Sequence, residues 1–439
     1  MRKRLNRIDI LSLALGSIIG WGSFTLPGSK FLHESGIIST AIGFILGGLA
    51  IVFIQKGYHI MMEKNDEDGG EFSYTYNNMG KANGFIVGWS LTLCYISMVP
   101  LNATAFVLVI KKLFGTSVEF LYLYEIAGYP VYLSEILISS FIIILFAFIN
   151  IKGLRASSRV QNTMILLLVL NVIIVFSVMI IKIDHNLILE NYIINYKFSM
   201  SEVAKILAIV PFLFVGFDVI PQVSTDLNFE RTKATKIAII AIFTGVLFYN
   251  LLNITTGLVY TSEKALLEEW ALGSAVLDNI GNIGFLLLVI SLMGAVTGGI
   301  NGFMLSSSKL IGALSKYKLI PDKFNIRNKN GVFEKSIKFV AIVSLIAPWL
   351  GREVIIYIVD MSSLLAAIAY FYVCYIGYKT TIGIDRALSI IGALISLTFM
   401  GLLIIPGSPG KLSNPSIIIM VLWMGIGFFY YKKHSTEMK

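Results

Sequence analysis

Two interrupted apolar segments decide how this chain folds. Residues 16–22 read Gly-Ser-Ile-Ile-Gly-Trp-Gly, and residues 211–218 read Pro-Phe-Leu-Phe-Val-Gly-Phe-Asp. Because glycine costs roughly 1 kcal/mol relative to alanine inside a helix, the three glycines of the first stretch favour an unwound backbone. In lipid every backbone N–H and C=O group needs a partner within the protein, so such a break is stable only beside a cavity or buried polar groups.

The composition is typical of a membrane protein. Charged residues make up 14% of the chain and the mean hydropathy is +0.79, whereas soluble domains average about 25% charged residues. We predict an all-α, polytopic membrane protein with twelve transmembrane helices in a single domain, residues 1–439, in contact with membrane lipid. The predicted spans cover approximately residues 8–31, 36–60, 83–112, 131–152, 159–182, 201–226, 234–260, 281–308, 335–350, 353–378, 385–405 and 414–431.

The distribution of positive charge predicts the orientation. Most of the 35 Lys and Arg residues fall at the two ends of the chain and in alternate loops. With an even number of spans, these regions lie on one side of the membrane. The positive-inside rule therefore predicts a multi-pass protein of the cell membrane with both termini in the cytoplasm, and the basic charge balance requires no nucleic acid partner.

The two breaks lie at corresponding positions near the start of each half of the chain. This is the sequence pattern of a binding site in a secondary transporter. Gly20, Trp21 and Gly22 would leave free N–H groups at the start of a half-helix, where a carboxylate is stabilised. The second break contains Gly216, and carbonyl groups freed before it would accept an ammonium group. A substrate that carries both groups, an amino acid, satisfies both half-helix ends at mid-membrane.

Asp218 is the acidic residue of the second break. An ionised carboxylate is costly in a bilayer and indicates function, so Asp218 is predicted to couple transport to protons. The same position also suits an ordinary helix N-cap, and the two roles are compatible. Phe212 and Phe217 are candidates for an apolar wall of the site or for simple packing, and Asn102 either faces the pocket or bonds to a neighbouring helix.

Other polar residues indicate structural roles. Asp226 ends the sixth span beside Arg231 and Lys233, which predicts an ion pair at the cytoplasmic surface. Cys94 and Cys374 both lie inside predicted spans, and the four histidines are scattered at segment ends. We therefore predict no disulfide, no metal site and no cofactor.

Several ordered motifs resemble those of the amino acid-polyamine-organocation superfamily of permeases, especially bacterial relatives of the cationic amino acid transporters. The resemblance covers essentially the whole chain. It rests on residues 16–24 (similar to G-x-x-I-G-x-G-x-F), residues 69–74 (Gly-Gly-Glu-Phe-Ser-Tyr), Gly88-Trp89, residues 214–218 (Phe-Val-Gly-Phe-Asp) and residues 301–321 (the eighth span and its basic loop).

The resemblance implies an architecture of two inverted repeats, residues 8–182 and 201–378, followed by two additional helices in residues 385–431. The first and sixth helices of this fold are discontinuous. Substrate is expected between the first, third, sixth, eighth and tenth spans, and transport is expected by alternating access.

The resemblance also implies roles for single residues. Ile18, Trp21 and Gly22 would present backbone groups to the substrate carboxylate. Phe212 and Val215 would supply a gating ring and a carbonyl group for the amine. Asp218 falls where relatives carry a proton-linked acid.

Some positions depart from the superfamily pattern. No Lys or Arg lies between Arg159 and Lys182, and Leu168 falls near the lysine that some proton-driven relatives carry, so coupling through that lysine is excluded. Trp21 replaces the usual small residue and is expected to narrow the pocket. Thr297 leaves sodium open as the coupling ion.

The leading hypothesis is a secondary active amino acid permease driven by protons. The alternative is a permease or exchanger of a decarboxylated amine such as ethanolamine or a polyamine, which would need an acid in the pocket. An amino acid exchanger fits the same residues. An enzyme or a receptor is disfavoured, because the sequence contains neither clustered metal ligands nor a soluble signalling domain.

Overall fold

A computed structural model describes residues 4–194, 196–268 and 270–434 of the chain. The extreme termini, to which the predicted cytoplasmic placement applies, lie outside these ranges. The helices of the first half are α1 (Arg7–Ile18), α2 (Trp21–Leu26), α3 (His33–Ser35), α4 (Ile38–Lys64), α5 (Glu71–Phe114), α6 (Leu133–Ile151), α7 (Leu154–Lys182) and α8 (Asn186–Ile188). Those of the second half are α9 (Met200–Leu213), α10 (Val219–Gln222), α11 (Arg231–Gly257), α12 (Ser262–Leu267), α13 (Ala271–Ile280), α14 (Asn282–Lys316), α15 (Glu334–Ile346), α16 (Gly351–Thr380), α17 (Gly383–Ile404) and α18 (Asn414–His434).

The all-α, polytopic architecture predicted from the sequence is confirmed. Within the described residues, nine helical segments are long and apolar enough to cross a membrane, or ten if the pair α1 and α2–α3, bent by 46°, is one span. The ninth and tenth predicted spans form one such segment, Glu334–Thr380, and the sixth is divided into the short helices α9 and α10. The total of twelve spans and the inverted repeat stay predictions.

A β-hairpin that the sequence analysis did not predict joins α5 and α6. Strands β1 (Tyr122–Ile126) and β2 (Tyr129–Tyr132) pair antiparallel, and the rings of Tyr122 and Tyr132 pack with centroids 5.8 Å apart. The Tyr124 hydroxyl donates a hydrogen bond to the Trp349 carbonyl at 2.5 Å, which ties the hairpin to the α15–α16 connection. Alternating tyrosines favour this extended structure over helix.

Glycines bring α1 and α14 into direct backbone contact. A Cβ atom added to Gly298 would lie 3.1 Å from the Cα of Gly16, and one added to Gly16 would lie 3.2 Å from the Cα of Gly298. Small residues of this kind let membrane helices approach closely. Gly16 therefore serves helix packing, while Gly20 lies in the break that follows.

A buried ion network closes one side of the helix bundle. Lys309 of α14 pairs with Asp226 and with Asp68, and the side chains of Lys309 and Asp226 are only 2% and 1% exposed. Arg327 also pairs with Asp68, which accepts a hydrogen bond from Thr225 at 2.5 Å. These residues come from four separate segments, so the network holds them together at the side where the Lys- and Arg-rich loops lie.

The ion pair predicted for Asp226 is confirmed, and its partner is the distant Lys309 of α14. Lys309 reaches Asp226 from α14, whereas Arg231 pairs with Asp66. Lys233 pairs with Glu230 at 2.9 Å. Sequence proximity suggested the local pair, but the end of the sixth span turns inward toward α14.

We expect Gly298→Val to destabilise the protein, because the new side chain would push against the backbone of α1, which cannot move aside as a flexible side chain can. Overpacking of this kind costs about 1–3 kcal/mol. The thermal unfolding midpoint of the purified protein in detergent measures the effect. Gly425→Val in α18, where no atom lies within 4 Å of an added Cβ, is the control. Equal midpoints for the two variants would contradict the packing argument.

The acid stability of the protein is expected to depend on Asp68. Partial burial alone would raise the pKa of Asp68, but Lys309, the hydrogen bond from Thr225, and Arg327 lower it to about 2. A lowered carboxyl pKa means that the ionised group stabilises the fold at pH values above its ordinary pKa near 4. This stabilisation is lost as the pH falls toward 2.

Asp68→Asn should therefore lower the free energy of unfolding by about 2 kcal/mol at neutral pH, and the difference should vanish between about pH 4 and pH 2. Thermal unfolding across this pH range measures it. Asp385→Asn is the control, because Asp385 forms an exposed pair with Lys56 and such pairs contribute about 0–1 kcal/mol. A constant difference at all pH values would show that the charge of Asp68 is not responsible.

Candidate functional site

The first break lies between α1 and α2. Helix α1 begins with a capping box in which Asn6 accepts from the N–H of Asp9 and Asp9 accepts from the N–H of Asn6. It ends at Ile18, and Gly20 adopts an extended conformation before α2 starts at Trp21. Within the described residues no side chain caps the start of α2. The Ser23 N–H donates to the Gly20 carbonyl at 3.2 Å, and stabilisation of an anion by the N–H groups that precede it stays a prediction.

The second break lies between α9 and α10. Helix α9 ends at Leu213 and α10 begins at Val219, which confirms the predicted interruption. Gly216 adopts a φ of +138°, a conformation that favours glycine. A Cβ atom added there would lie 2.6 Å from the carbonyl carbon of Ser17, so the two breaks are in direct contact.

Tyr249 of α11 joins the two breaks. Its hydroxyl group lies 3.0 Å from the carbonyl oxygen of Ile18 and 3.3 Å from that of Leu213. A hydroxyl group carries one hydrogen, so it fully satisfies only one of these two acceptors. The other carbonyl oxygen keeps capacity for a further donor, such as an ammonium group. The sequence analysis missed Tyr249, because no motif near it in the chain indicates that its hydroxyl group contacts the two breaks.

A cavity of about 30 Å³ lies where the two breaks meet. Seven predicted site residues line it: Ile18, Gly20, Trp21, Gly22, Asn102, Phe212 and Val215. The cavity also borders Met98 and Phe303. A water molecule needs about 10–15 Å³ by the same measure, so the space is too small for an amino acid and this conformation is closed.

The three remaining predicted residues lie behind the cavity. Gly216 packs against Ser17, and Phe217 packs between Tyr58 and Tyr370 with ring centroids 5.3 Å from each. Asp218 is fully buried away from the cavity lining. Phe217 therefore contributes packing rather than a wall of the cavity.

Trp21 separates the central cavity from a wider space of about 220 Å³ that also borders Lys111 and Trp270. The guanidinium group of Arg352 lies 4.6 Å from the centre of the Trp21 ring and donates to Thr104 Oγ1 at 2.8 Å. Such a cation–π contact holds the ring in place. Trp21 thus borders both spaces, and its narrowing of the pocket stays a prediction.

Asn102 presents a free acceptor to the first break. Its side-chain nitrogen donates to the Met98 carbonyl at 2.9 Å within α5. Its Oδ1 atom is buried and has no hydrogen-bond partner among the described residues. This atom lies 3.7 Å from the position of a Cβ added to Gly20 and 3.0 Å from that of a Cβ added to Gly299, so Asn102 lies between the first break and the neighbouring helix α14.

Asp218 belongs to a buried pair of acids. Its Oδ1 accepts from the Gly216 N–H at 2.7 Å and its Oδ2 accepts from the Tyr95 hydroxyl at 2.9 Å. The same hydroxyl lies 3.3 Å from Glu71 Oε1, and Gln222 donates to Glu71 Oε2 at 2.6 Å. Asp218 occupies the N-cap position of α10, but among the described residues its carboxylate makes no capping bond, so the N-cap alternative is wrong.

Glu71 was missed as a site residue because the third span was predicted to begin at residue 83. In the structure α5 extends back to Glu71, with a kink at Gly80, and Glu71 is fully buried. The Gly-Gly-Glu stretch before an apolar span was the available signal. Leu168 and Thr297, which the sequence analysis considered for ion coupling, make structural contacts. Leu168 packs beside Gly294 of α14. The Thr297 hydroxyl donates to the Met293 carbonyl of its own helix at 2.7 Å.

Sequence comparison with known proteins finds several matches. The family model described as "Amino acid permease" matches residues 5–429. The chain is 21% identical to the branched-chain amino acid permease BcaP of Bacillus subtilis (strain 168), over 99% of this chain and 94% of the relative. It is 24% identical to a putative arginine/ornithine antiporter of Escherichia coli (strain K12), over 85% and 81%. It is 23% identical to the methylthioribose transporter of Bacillus subtilis (strain 168), over 58% and 57%.

The contact between the breaks predicts a strong effect of Gly216→Ala. The added Cβ would collide with the backbone of Ser17 and would also strain the backbone of residue 216, so we expect the free energy of unfolding to fall by about 2–4 kcal/mol. Gly281→Ala is the control, because Gly281 also has a positive φ, of +84°, but no atom lies within 4 Å of an added Cβ. Thermal unfolding in detergent compares the two. A loss of stability no larger than that of Gly281→Ala would contradict the argument that the contact between the breaks stabilises the protein.

Proposed function

Because the chain belongs to the amino acid permease family, we propose that it is a secondary active transporter that moves amino acids across the cytoplasmic membrane by alternating access, coupled to protons. The observation that carries this proposal is the meeting of the two breaks at one cavity. The start of α2, which has no side-chain cap among the described residues, lies there beside the carbonyl oxygens of Ile18 and Leu213. These two oxygens share the one hydrogen of the Tyr249 hydroxyl, and the Ile18 oxygen also accepts from the Gly20 N–H at 3.1 Å, so the Leu213 oxygen keeps most capacity for an ammonium group. These two sets of groups are complementary to the carboxylate and the ammonium group of an amino acid.

Alternating access requires that the cavity open to each side in turn. Trp21 covers it on the side of the wider space. On the opposite side, Gln161 of α7 donates to the carbonyl oxygens of Ser12 at 3.1 Å and Gly298 at 3.3 Å, which fastens α1 to α7 and α14. We infer that Trp21 moves to admit substrate and that the contacts of Gln161 break to release it. Motion of the first repeat, residues 8–182, against the second, residues 201–378, would produce both changes.

Asp218 and Glu71 are proposed as the proton-coupling pair. Both are fully buried and both approach the single hydroxyl of Tyr95. Two neighbouring negative charges repel each other and lack solvation in the membrane, so a proton shared by the pair is strongly stabilising. Asp218 follows Val215 by less than one helical turn, and Val215 lines the cavity. Movement of this break on substrate binding would change the separation of the two acids, and with it their affinity for the proton.

The proposed orientation places both ends of the chain in the cytoplasm. The ion network of Lys309, Asp226, Asp68 and Arg327 lies on that side, and its disruption would accompany opening toward the cytoplasm. Exchange of one amino acid for another uses the same cavity. The antiporter relative favours keeping exchange as the second candidate.

The position of Asp218 disfavours a decarboxylated amine as substrate. An amine without a carboxylate would depend on an acid in the pocket, but the residues that line the described cavity are uncharged. Asp218 and Glu71 lie behind the break and are already bonded to Tyr95, Gly216 and Gln222. An amino acid instead uses the backbone groups that the cavity offers.

The decisive experiment measures uptake into proteoliposomes of a panel of radiolabelled amino acids and of their decarboxylated amines, with and without an inward proton gradient. We expect the gradient to stimulate uptake of an amino acid by the unaltered protein. Asp218→Asn and Glu71→Gln should each reduce this stimulation about tenfold, which corresponds to a coupling free energy of about 1.4 kcal/mol. Asp385→Asn, which removes an exposed carboxylate, should leave it unchanged.

The outcomes separate the candidates. Uptake of amines alone would contradict the amino acid assignment. Uptake that depends on amino acid inside the vesicles and ignores the proton gradient would identify an exchanger and remove the coupling role of Asp218 and Glu71.

A further inference from the structure

A second cavity, of about 510 Å³, opens between the segment before α1 and the beginning of α7. Its lining is polar and basic. Arg4 contributes from the first segment, and Arg155 and Arg159 contribute from consecutive turns of α7. The central cavity shares none of these residues. This cavity is therefore a separate site on the side of the molecule where the Lys- and Arg-rich loops lie.

The three arginines have no acidic partner. Over residues 4–194, 196–268 and 270–434, none of their guanidinium groups takes part in an ion pair. Asp9 also lines the cavity, but its Oδ1 accepts from Asn162 at 2.8 Å and its Oδ2 accepts from the N–H of Asn6 at 2.9 Å. The cavity thus combines three arginines with one acid whose oxygens are already bonded to neutral donors, so its lining keeps a net positive charge and attracts an anion.

Guanidinium groups favour one class of anion in particular. Each presents a planar fork of N–H donors that matches two oxygens of a phosphate group. Arg155 and Arg159 are four residues apart on α7, so their side chains lie on the same face of the helix. A tetrahedral phosphate placed between them and Arg4 would receive donors from two separate segments of the chain.

The surface next to the cavity indicates how such a phosphate is presented. On the face of α7 that carries Arg155 and Arg159, the following turns expose Leu166, Leu170 and Ile173, which are 58%, 48% and 46% exposed. This apolar stripe continues from the basic cavity toward the middle of the membrane. A headgroup above and an apolar stripe below are the two parts of a phospholipid site, and basic pockets between transmembrane helices bind anionic headgroups.

We propose that this cavity binds the phosphate of an anionic phospholipid, with Arg155 and Arg159 on the phosphate and the acyl chains along the α7 stripe. Asn6 and Asp9, at the start of α1, form the opposite wall. A bound lipid therefore bridges α7 to the helix that ends at the first break. It stabilises the packed arrangement of α1 against α7, whichever substrate the central cavity accepts.

The test uses the full-length purified protein in detergent, titrated with phosphatidylglycerol, with phosphatidylcholine or with inorganic phosphate. Native mass spectrometry counts the retained lipid and thermal unfolding measures the stabilisation. We expect phosphatidylglycerol to bind and to raise the unfolding midpoint, and phosphatidylcholine to do neither. The double variant Arg155→Gln/Arg159→Gln should weaken phosphatidylglycerol binding at least tenfold.

Arg386→Gln is the matched control, because Arg386 lies near the start of α17 on the same proposed membrane side but outside the cavity. It should retain the affinity of the unaltered protein. Equal binding of phosphatidylcholine, or phosphatidylglycerol binding that the double variant leaves unchanged, would overturn the proposal. Stabilisation by inorganic phosphate that equals that of phosphatidylglycerol would overturn the lipid assignment, because the apolar stripe would then contribute nothing.

Discussion

The contact between the two helix breaks is the constraint on which the rest of this structure depends. Gly216 packs against the backbone of Ser17, and Tyr249 reaches carbonyl groups on both sides of the contact. In a membrane the polar backbone groups exposed by one break have no water to bond with. Bringing the two breaks together gives each a polar neighbour, and it places donors and acceptors of opposite kind at one small cavity.

The cavity is closed because the groups around it are held by neighbours outside it. Arg352 lies against the ring of Trp21 on one side, and Gln161 fastens α1 to α14 on the other. These contacts involve helices α7, α14 and α16, none of which carries a break. The proposed opening of the cavity therefore involves these helices as well as the Trp21 side chain.

The buried charges divide into two groups with different consequences. Asp68, Asp226, Lys309 and Arg327 neutralise one another at one side of the bundle and stabilise its closure. Asp218 and Glu71 are both acidic and share Tyr95. In the proposed cycle the acid pair responds to protons, whereas the ion network responds to separation of its segments. The proposed transport cycle uses both properties.

The sequence by itself determined the membrane class, the all-α fold and the position of both breaks, because hydropathy and helix-breaking residues act locally and do not depend on distant partners. It also identified seven residues that line the cavity, from Ile18 to Val215. Only the tertiary structure decided that Asp226 pairs with Lys309, that Tyr249 joins the breaks and that Glu71 stands beside Asp218. Those contacts join residues far apart in the chain, and the spacing of residues along a sequence carries no information on which helices pack side by side.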